Sequence, residues 1–464
     1  MRLSASIASA MALLVLGGCA NLAPRYVRPS PQLPQAQATS EDRFAGKALG
    51  EVFVNPRLRD TVALALERNQ DLALAMLNVQ RARASYRLRD ADTLPTVTLD
   101  GTVADASHQQ SQLSVSFGFA SYELDFFGRV KNLKEAALQD VLRSDENRRS
   151  ASLSLIAEVA TAWLRLDADQ QRLALVNKSA GNLQRVYELT LARYNQGAVS
   201  GLELAQADTA LAQIGAEQAG LDARLQQDRN ALTLLAGVEV PETLLPDTDA
   251  RDARGEAVLS LNGPLPAGVP SSLLLRRPDV MAAEHALIGA NANIGVARAR
   301  FFPRIALTGS YGTASTALST LLGAGSWNIA TSAALPLFDH GANRANLKVT
   351  ELDTQIAQAQ YQKTLQTAFR DVADALAIGS SIAGRLQAQT QLIDAASKQA
   401  RIAAARYERG QTGLVDLLNA QRALYAAQQG MLDTTLLRDS NLVTAYRVLG
   451  GEWMQVSMQG GIAP

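Results

Sequence analysis

The sequence predicts an α+β membrane protein that carries one structural unit twice. Two similar segments lie about 213 residues apart, two long proline-free stretches carry heptad patterns, and four short segments alternate apolar with small polar residues. Heptads indicate helices that pack along a seam, and alternation indicates strands with two different faces. We therefore expect long coiled-coil helices joined to strands that cross a bilayer.

Composition sets the outer limits of function. The chain has 464 residues, of which 47% are hydrophobic and 19% charged, so it can bury a sizeable core. It has 44 basic and 44 acidic residues, so no net positive field attracts nucleic acid. Its single cysteine, Cys19, excludes an intramolecular disulfide and a cysteine-based metal site.

The N-terminus has the pattern of a signal peptide, predicted at 1–18. A short positive start precedes an uncharged stretch that is too short to span a bilayer and ends in Leu16-Gly17-Gly18-Cys19. This tetrapeptide resembles the lipobox of bacterial lipoproteins. The resemblance implies S-diacylglycerol and N-palmitoyl groups on Cys19, and Ala20 implies sorting to the outer membrane. The alternative is a chance cysteine at the end of an ordinary signal peptide.

Residues 19–55 are expected to form a lipidated strap between the membrane and the folded body. Four prolines lie here among Gln, Ala and Ser, a composition that favours an extended chain with little secondary structure: Pro24, Pro29, Pro31 and Pro34.

The internal repeat divides the rest of the chain. Two similar pentapeptides mark it, Arg193-Tyr194-Asn195-Gln196-Gly197 in the first copy and Arg406-Tyr407-Glu408-Arg409-Gly410 in the second. An acidic residue follows each of them, Glu203 in the first copy and Asp416 in the second. A long period shows that each unit can depend on its neighbour to bury its surface. We place repeat 1 at 56–240, an equatorial linker at 241–275, repeat 2 at 276–451 and a tail at 452–464.

Each repeat should contain a long helical hairpin, at about 129–236 and about 341–449. Neither region contains proline, so long helices are permitted. Small residues dominate the heptad seams, which predicts close packing: Leu173, Val176, Ala180, Leu183, Tyr187, Thr190 and Tyr194, then Leu386, Gln389, Ile393, Ala396, Ala400, Ala403 and Tyr407. The turns are expected at Gly197 and Gly201, and at Gly410 and Gly413. The outgoing helices should reach roughly 100 Å and the returning ones roughly 50 Å.

A β-hairpin is predicted before each helical hairpin, at about 95–125 and about 304–338. One face of each strand is apolar and the other small and polar, although the register near Ser121 is unclear and indicates a bulge. Ile305 to Phe338 carries no charge, but its Gly, Ser and Thr content and its alternation argue against a transmembrane helix. Phenylalanines at the strand ends fit either a membrane girdle or the packing of helix ends: Phe126, Phe127, Phe301, Phe302 and Phe338.

Four strands cannot close a barrel by themselves. An open edge in lipid leaves backbone groups unpaired, at a cost of several kcal/mol each. The chain should therefore oligomerise, and three copies give twelve strands whereas two give eight. The residues alone leave both numbers open.

Two runs make the chain resemble a known family. They are Tyr122-Glu123-Leu124-Asp125-Phe126-Phe127-Gly128-Arg129, and Arg276-Arg277-Pro278-Asp279 continuing to Leu307-Thr308-Gly309-Ser310. Both resemble the NodT branch of the TolC-type outer membrane factor family, the efflux outer-membrane lipoproteins. The resemblance implies a trimeric channel-tunnel with a 12-stranded transmembrane β-barrel, four strands per chain, and a long α-helical coiled-coil tube in the periplasm. It also implies a periplasmic adaptor (membrane fusion) protein and an inner-membrane pump of the resistance-nodulation-division type as partners.

The resemblance also implies a periplasmic gate at the turns. Asp416 should line the constriction, with Asn419 one helical turn on, Glu203 as its first-copy counterpart and Tyr407 as a latch. Two positions depart from the family pattern, because Asn419 replaces a second aspartate and Thr412 replaces a loop arginine. The alternative role for the acidic residues is to stabilise a helix N-terminus. Arg193 and Arg406 fit either a gate or solvated helix ends.

No enzyme is expected. The three histidines, His108, His285 and His340, have no metal-ligand spacing, and no phosphate-binding loop or serine nucleophile elbow occurs. No cofactor is expected beyond the lipid on Cys19. The prediction is a passive, gated exit duct for small molecules such as drugs, in the outer membrane and extending into the periplasm. The alternatives are the outlet of a type I protein secretion system and a structural coiled-coil lipoprotein.

Overall fold

The computed structural model describes residues 20–30, 53–105, 112–247, 274–316, 321, 323 and 325–450. The predictions for the signal peptide, the lipidation of Cys19, the tail and most of the linker 241–275 fall outside these residues. None of the helices in these ranges is long and apolar enough to cross a membrane.

Seven helices and four strands make up the described ranges. In chain order they are α1 (Pro56–Arg68), α2 (Gln70–Ala91), β1 (Val97–Ala104), β2 (Gln112–Leu124), α3 (Arg129–Asn195), α4 (Gly201–Ala236), α5 (Pro278–Ala299), β3 (Arg304–Ser315), β4 (Gly325–Ala334), α6 (Ala342–Glu408) and α7 (Leu414–Val448). A 3₁₀ turn covers Glu242–Leu244. The outgoing helices α3 and α6 each have 67 residues, and the returning helices α4 and α7 have 36 and 35. The absence of proline from these segments permits such lengths.

The chain divides into two compact units. The strand unit comprises the described residues within Met1–Gln32, Ala75–Arg148 and Asp279–Leu365, and the tip unit comprises those within Leu33–Leu74, Arg149–Pro278 and Gln366–Pro464. Each unit takes segments from both copies of the repeat. This is the arrangement expected when one copy cannot bury its surface alone.

The sheet of the strand unit is antiparallel, in the order β1-β2-β3-β4. Its register aligns Leu99, Phe117, Tyr311 and Trp327 in one row across all four strands. Residues directly opposite each other share a face, so this row is apolar, and Leu99 and Trp327 are each 74% exposed. The chain itself therefore leaves the apolar face of the sheet uncovered.

A β-bulge interrupts β2 where the sequence indicated one. The register shifts between Phe119 and Tyr122, and Ser121 adopts a positive φ of 55°. The Ser121 N–H leaves the regular ladder and donates to Thr308 Oγ1 at 3.2 Å. Because one residue is inserted, every side chain beyond the bulge changes face.

The main core of the tip unit lies where α1, α3, α4 and α7 meet. Trp163 of α3 is fully buried there, and its indole N–H donates to the Leu244 carbonyl at 2.9 Å. Phe53 meets Tyr446 edge to face at 5.8 Å. Apolar burial thus fixes the 3₁₀ turn and the short helix α1 against the long helices.

The first described residues, 20–30, form no helix or strand and lie against α5. Arg28 makes a two-point ion pair with the buried Glu284 at 2.6 and 2.7 Å, and Tyr26 donates to the same carboxylate at 3.2 Å. Asn291 donates to the Pro24 carbonyl at 2.8 Å. Charge-assisted hydrogen bonds therefore hold the strap in place.

We predict that Glu284→Ala releases the strap. Hydrogen bonds to charged groups contribute about 1.5–3 kcal/mol, so the open state should become at least about tenfold more populated. Trypsin should then cut faster after Arg25, since Pro29 blocks cleavage after Arg28. Glu67→Ala, at an exposed surface pair on α1, is the matched control. Equal digestion rates for both variants would contradict the role of Glu284 in holding the strap against α5.

A cluster of acidic residues lies among α3, α4 and α7 in the tip unit. Arg172 donates to Asp169 on its own helix and to Asp433 on α7, the latter at 2.5 Å. Partial burial, and next the negative charge of Asp169, raise the pKa of Asp228 to about 6, although Arg165 and Arg172 oppose the shift. The carboxylate form of Asp228 is therefore unfavourable in the folded chain.

We predict that Asp228→Asn stabilises the protein above pH 6 and has little effect below pH 4. Between the unfolded pKa of 3.8 and the folded value of about 6, the native state binds the extra proton, so stability falls as pH rises. The gain at pH 7.5 should be about 1 kcal/mol after allowance for solvent screening. Thermal unfolding at pH 4 and pH 7.5 measures it, with the exposed Asp208→Asn as control. A lower melting temperature of Asp228→Asn than of wild type at pH 7.5 would show that the Asp228 carboxylate stabilises the fold, contrary to the prediction.

Candidate functional site at the Arg-Tyr turns

Glycines close both helix-to-helix turns. Gly197 and Gly410 adopt φ values of 70° and 71°, a left-handed conformation that costs other residues energy. The N–H of Gly197 donates to the Tyr194 carbonyl at 2.9 Å, and that of Gly410 to the Tyr407 carbonyl at 3.0 Å. Both outgoing helices therefore end with their last carbonyls satisfied.

The returning helices begin differently in the two copies. Gly201 opens α4, and the Ser200 side chain accepts the Glu203 N–H at 3.3 Å. In the second copy Gly413 occupies the cap position of α7 and offers no side-chain acceptor. The two turns are therefore similar in backbone and different in polar chemistry.

Tyr407 is the most buried polar side chain of the turns, with 3% of its surface exposed. Its hydroxyl lies 3.0 Å from the hydroxyl of Thr190, which is fully buried on α3. Thr190 donates its own proton to the Val186 carbonyl at 2.7 Å, so Tyr407 is the donor in the bond between them. This bond joins the first hairpin to the second.

Arg193 makes a second connection between the hairpins. Its guanidinium lies 4.8 Å from the centre of the Tyr407 ring and donates to the Tyr407 and Glu408 carbonyls. A cation over an aromatic ring and at a helix C-terminus is favourable for both reasons. Arg193 is thus partly buried against the turn of the second copy, and its role in a gate stays a prediction. Sequence reasoning assigned no role to Thr190 beyond its place in the heptad seam.

Asp416 and Asn419 lie exposed on the first turns of α7. Thr412, in the turn before α7, donates to the Asp416 carboxylate at 2.5 Å. Asp416 and Asn419 line a groove of about 630 Å³ together with Lys398 and Arg406, whereas Glu203 does not line it. In one copy of the chain, the predicted acidic residues therefore do not meet.

Small residues allow the two helical hairpins to approach each other beside the Arg-Tyr turns. Tyr407 packs in a buried cluster with residues from α4, α6 and α7: Ala207, Ala210, Ala403, Leu414, Leu417, Leu418 and Ala420. Alanine methyl groups hold neighbouring helices close without a thick core between them. This cluster thus holds the two hairpins in close contact beside the turns.

The contacts at the turns join helices to one another within the described ranges. No group of three or more His, Cys, Asp or Glu side chains in those ranges could hold a metal ion. His285 bonds to Gln139 at 2.7 Å, and partial burial lowers its pKa, which is typical of a histidine packed between helices. A sheet with a bare apolar face and paired helical hairpins define a class, the membrane transport proteins.

Comparison with known proteins identifies the family. The outer membrane efflux protein family model matches residues 61–238 and 269–451. The solvent efflux pump outer membrane protein SrpC of Pseudomonas putida is 38% identical, over 95% of this chain and 97% of that protein. Cation efflux system protein CusC of Escherichia coli O6:H1 is 36% identical, over 95% and 97%.

A solved structure agrees with these relatives. The open state of the Neisseria gonorrhoeae MtrE outer membrane channel superposes with a TM-score of 0.84 at 36% identity, covering 93% of this chain and 98% of that one. The chain belongs to the outer membrane efflux protein family. It is an outer-membrane efflux channel protein, as the sequence predicted.

We predict that Tyr407→Phe weakens the contact between the two hairpins beside their turns. The change leaves ring packing intact but removes a buried hydrogen bond that contributes about 1 kcal/mol. The open-to-closed ratio should rise roughly fivefold, measured as open probability in planar bilayers. Tyr194→Phe, at the exposed first-copy tyrosine, is the control and should behave as wild type. An unchanged open probability for Tyr407→Phe would remove the latch role.

Proposed function

We propose that three copies of this chain form the exit duct of a tripartite efflux assembly. The observation that carries the proposal is the four-stranded sheet, whose apolar face is exposed and whose outer strands β1 and β4 each have a neighbour on one side only. Lipid can cover the face, but only more strands can satisfy the edges. Three copies close a twelve-stranded barrel and two close an eight-stranded one, and the TolC-type resemblance favours three.

The remaining parts of the assembly are supplied by partners. A periplasmic adaptor would contact the helical tube, and an inner-membrane pump of the resistance-nodulation-division type would supply the energy. The names of the relatives support a pump partner, since they describe components of a solvent efflux pump and a cation efflux system. Those names differ in cargo, which agrees with a passive duct whose substrates, small molecules such as drugs, are selected elsewhere.

A lipid on Cys19 would reach the bilayer at the junction of strands and helices. The Ala20 N–H donates to the Phe126 carbonyl at 3.0 Å, and Phe126 lies two residues after β2 ends. Phe127 stacks on Phe302 at 4.7 Å nearby, and Phe338 is 94% exposed. N-palmitoyl and S-diacylglycerol chains at this level would enter the same leaflet as the aromatic side chains.

The gate in this proposal has two parts. Three copies of Asp416 would surround the axis as an anionic constriction, with the neutral Asn419 one turn on and Glu203 as a supporting charge. The contacts of Tyr407 with Thr190 and Arg193 would hold the hairpins in the closed arrangement. A ring of like charges attracts cations and repels anions.

Conductance of the purified protein in planar bilayers tests the duct and its constriction. Wild type should give discrete channels that prefer cations, and Asp416→Asn should lower the cation-to-anion permeability ratio about threefold or more because three charges leave the narrowest point. Asp394→Asn, at an exposed acid on α6, is the matched control.

The outcomes separate the two claims. Wild-type protein that forms no channel would refute the duct. Channels whose ion preference is the same with and without the Asp416 carboxylate would place the constriction at other residues.

A further inference from the structure

The polar face of the sheet carries a charge pattern that the proposed gate does not use. The described strands contain three charged residues, Asp100 in β1, Glu123 in β2 and Arg304 in β3. Their register partners are Ser116, Ala306 and Ala334, so all three lie on the face opposite the apolar row. In a barrel whose apolar face meets lipid, this polar face lines the interior.

The bulge in β2 is what puts Glu123 on that face. Phe119 points to the apolar side, and in a regular strand Glu123, four residues later, would follow it into lipid. The bulge shifts the register by one, so that Tyr122 and Leu124 join the apolar face and Glu123 opposes Ala306. A bare carboxylate in hydrocarbon is thereby avoided.

Glu123 holds two arginines at once. Its carboxylate, 10% exposed, accepts two bonds of 2.6 Å from Arg129 and one of 2.6 Å from Arg304. One negative charge therefore faces two positive ones. The surplus lies on Arg304, because its side chain is 62% exposed whereas that of Arg129 is 31% exposed.

Neighbouring charges leave this surplus in place. A cavity of about 280 Å³ beside the cluster adds Arg300 and Asp125, one charge of each sign. Asp125 is further engaged by the Lys131 N–H at 2.8 Å, at the start of α3. Asp92 also acts on Arg129 but is paired with Arg89 at 3.3 Å, so the surplus stays at one positive charge per copy.

Asp100 is too far away to compensate. Its row of the sheet reaches Gly312 on β3, eight residues beyond Arg304. At about 3.3 Å per residue this is roughly 26 Å along the strand, about three times the screening length of roughly 8 Å at physiological salt.

We propose that Arg304 of each copy forms a cationic ring inside the duct, where barrel and helical tube join. The inference rests on the proposed oligomeric duct. Arg304 is the first residue of β3 and follows the end of α5 at Ala299 after four residues, which places it at the helical end of the strands. The ring binds anionic solutes such as phosphates, sulfonates and carboxylates on their way through the duct. The Glu123–Arg129 pair acts as its support.

Current block by inorganic tripolyphosphate tests the ring. With single wild-type channels in 0.1 M KCl, tripolyphosphate added on the barrel side should reduce the current in a dose-dependent way. Arg304→Gln should raise the half-blocking concentration about tenfold or more because the local concentration of anions falls. Arg304→Lys should keep it near wild type. Arg59→Gln, at an exposed arginine on α1, is the charge-matched control and should also stay near wild type.

The Gln variant should retain its fold, because Glu123 keeps its two-point pair with Arg129. At 1 M KCl the difference between wild type and Arg304→Gln should disappear, since screening then acts within about 3 Å. Equal half-blocking concentrations for wild type and Arg304→Gln at 0.1 M KCl would overturn the ring while leaving the duct intact. If wild type forms no channel at all, the duct proposal fails instead.

Discussion

Backbone hydrogen bonding in lipid is the constraint on which the rest of this structure depends. A sheet of four strands pairs its N–H and C=O groups within itself, apart from the bulge in β2, and leaves unpaired groups along the outer edges of β1 and β4. Hydrocarbon offers no replacement partners, so those edges must meet other strands. The exposed Leu99 and Trp327 follow from the same requirement, because the outer face of such a sheet is solvated by lipid rather than by a core. In the proposed function, a closed duct is accordingly a property of the assembly, to which one chain contributes four strands.

Duplication of one unit provides both helical hairpins, yet the two copies differ at the turns where their outgoing helices end. Tyr194 and Tyr407 occupy matching positions in the last turn of equally long helices, but Tyr194 is exposed while Tyr407 is buried against Thr190. Arg193 of the first copy covers the ring of the second-copy tyrosine. The hairpins are therefore joined by unequal partners. Such a contact can break without unfolding either helix, as a gate requires.

The face on which a charged side chain of the sheet lies follows from the alternation of side chains along each strand and from the one bulge that interrupts it. The bulge at Ser121 transfers Glu123 to the polar face, where it holds Arg129 and Arg304. Asp416 lies in the tip unit, in the first turn of the helix α7. Cationic and anionic positions are thus assigned to different elements. Local backbone geometry decides which side chains can face the interior.

The sequence by itself determined what depends on neighbours a few residues away. Proline-free heptads specify α3 and α6, alternation specifies the strands, and Gly197 and Gly410 specify where helices stop, because these signals act through local dihedral angles and side-chain period. Only the tertiary structure decided that Thr190 and Arg193 contact Tyr407. It also decided that Glu284 bonds to Arg28 of the strap. The bonded residues are 217 and 256 positions apart in the chain, and a periodic pattern carries no information on which distant side chains meet.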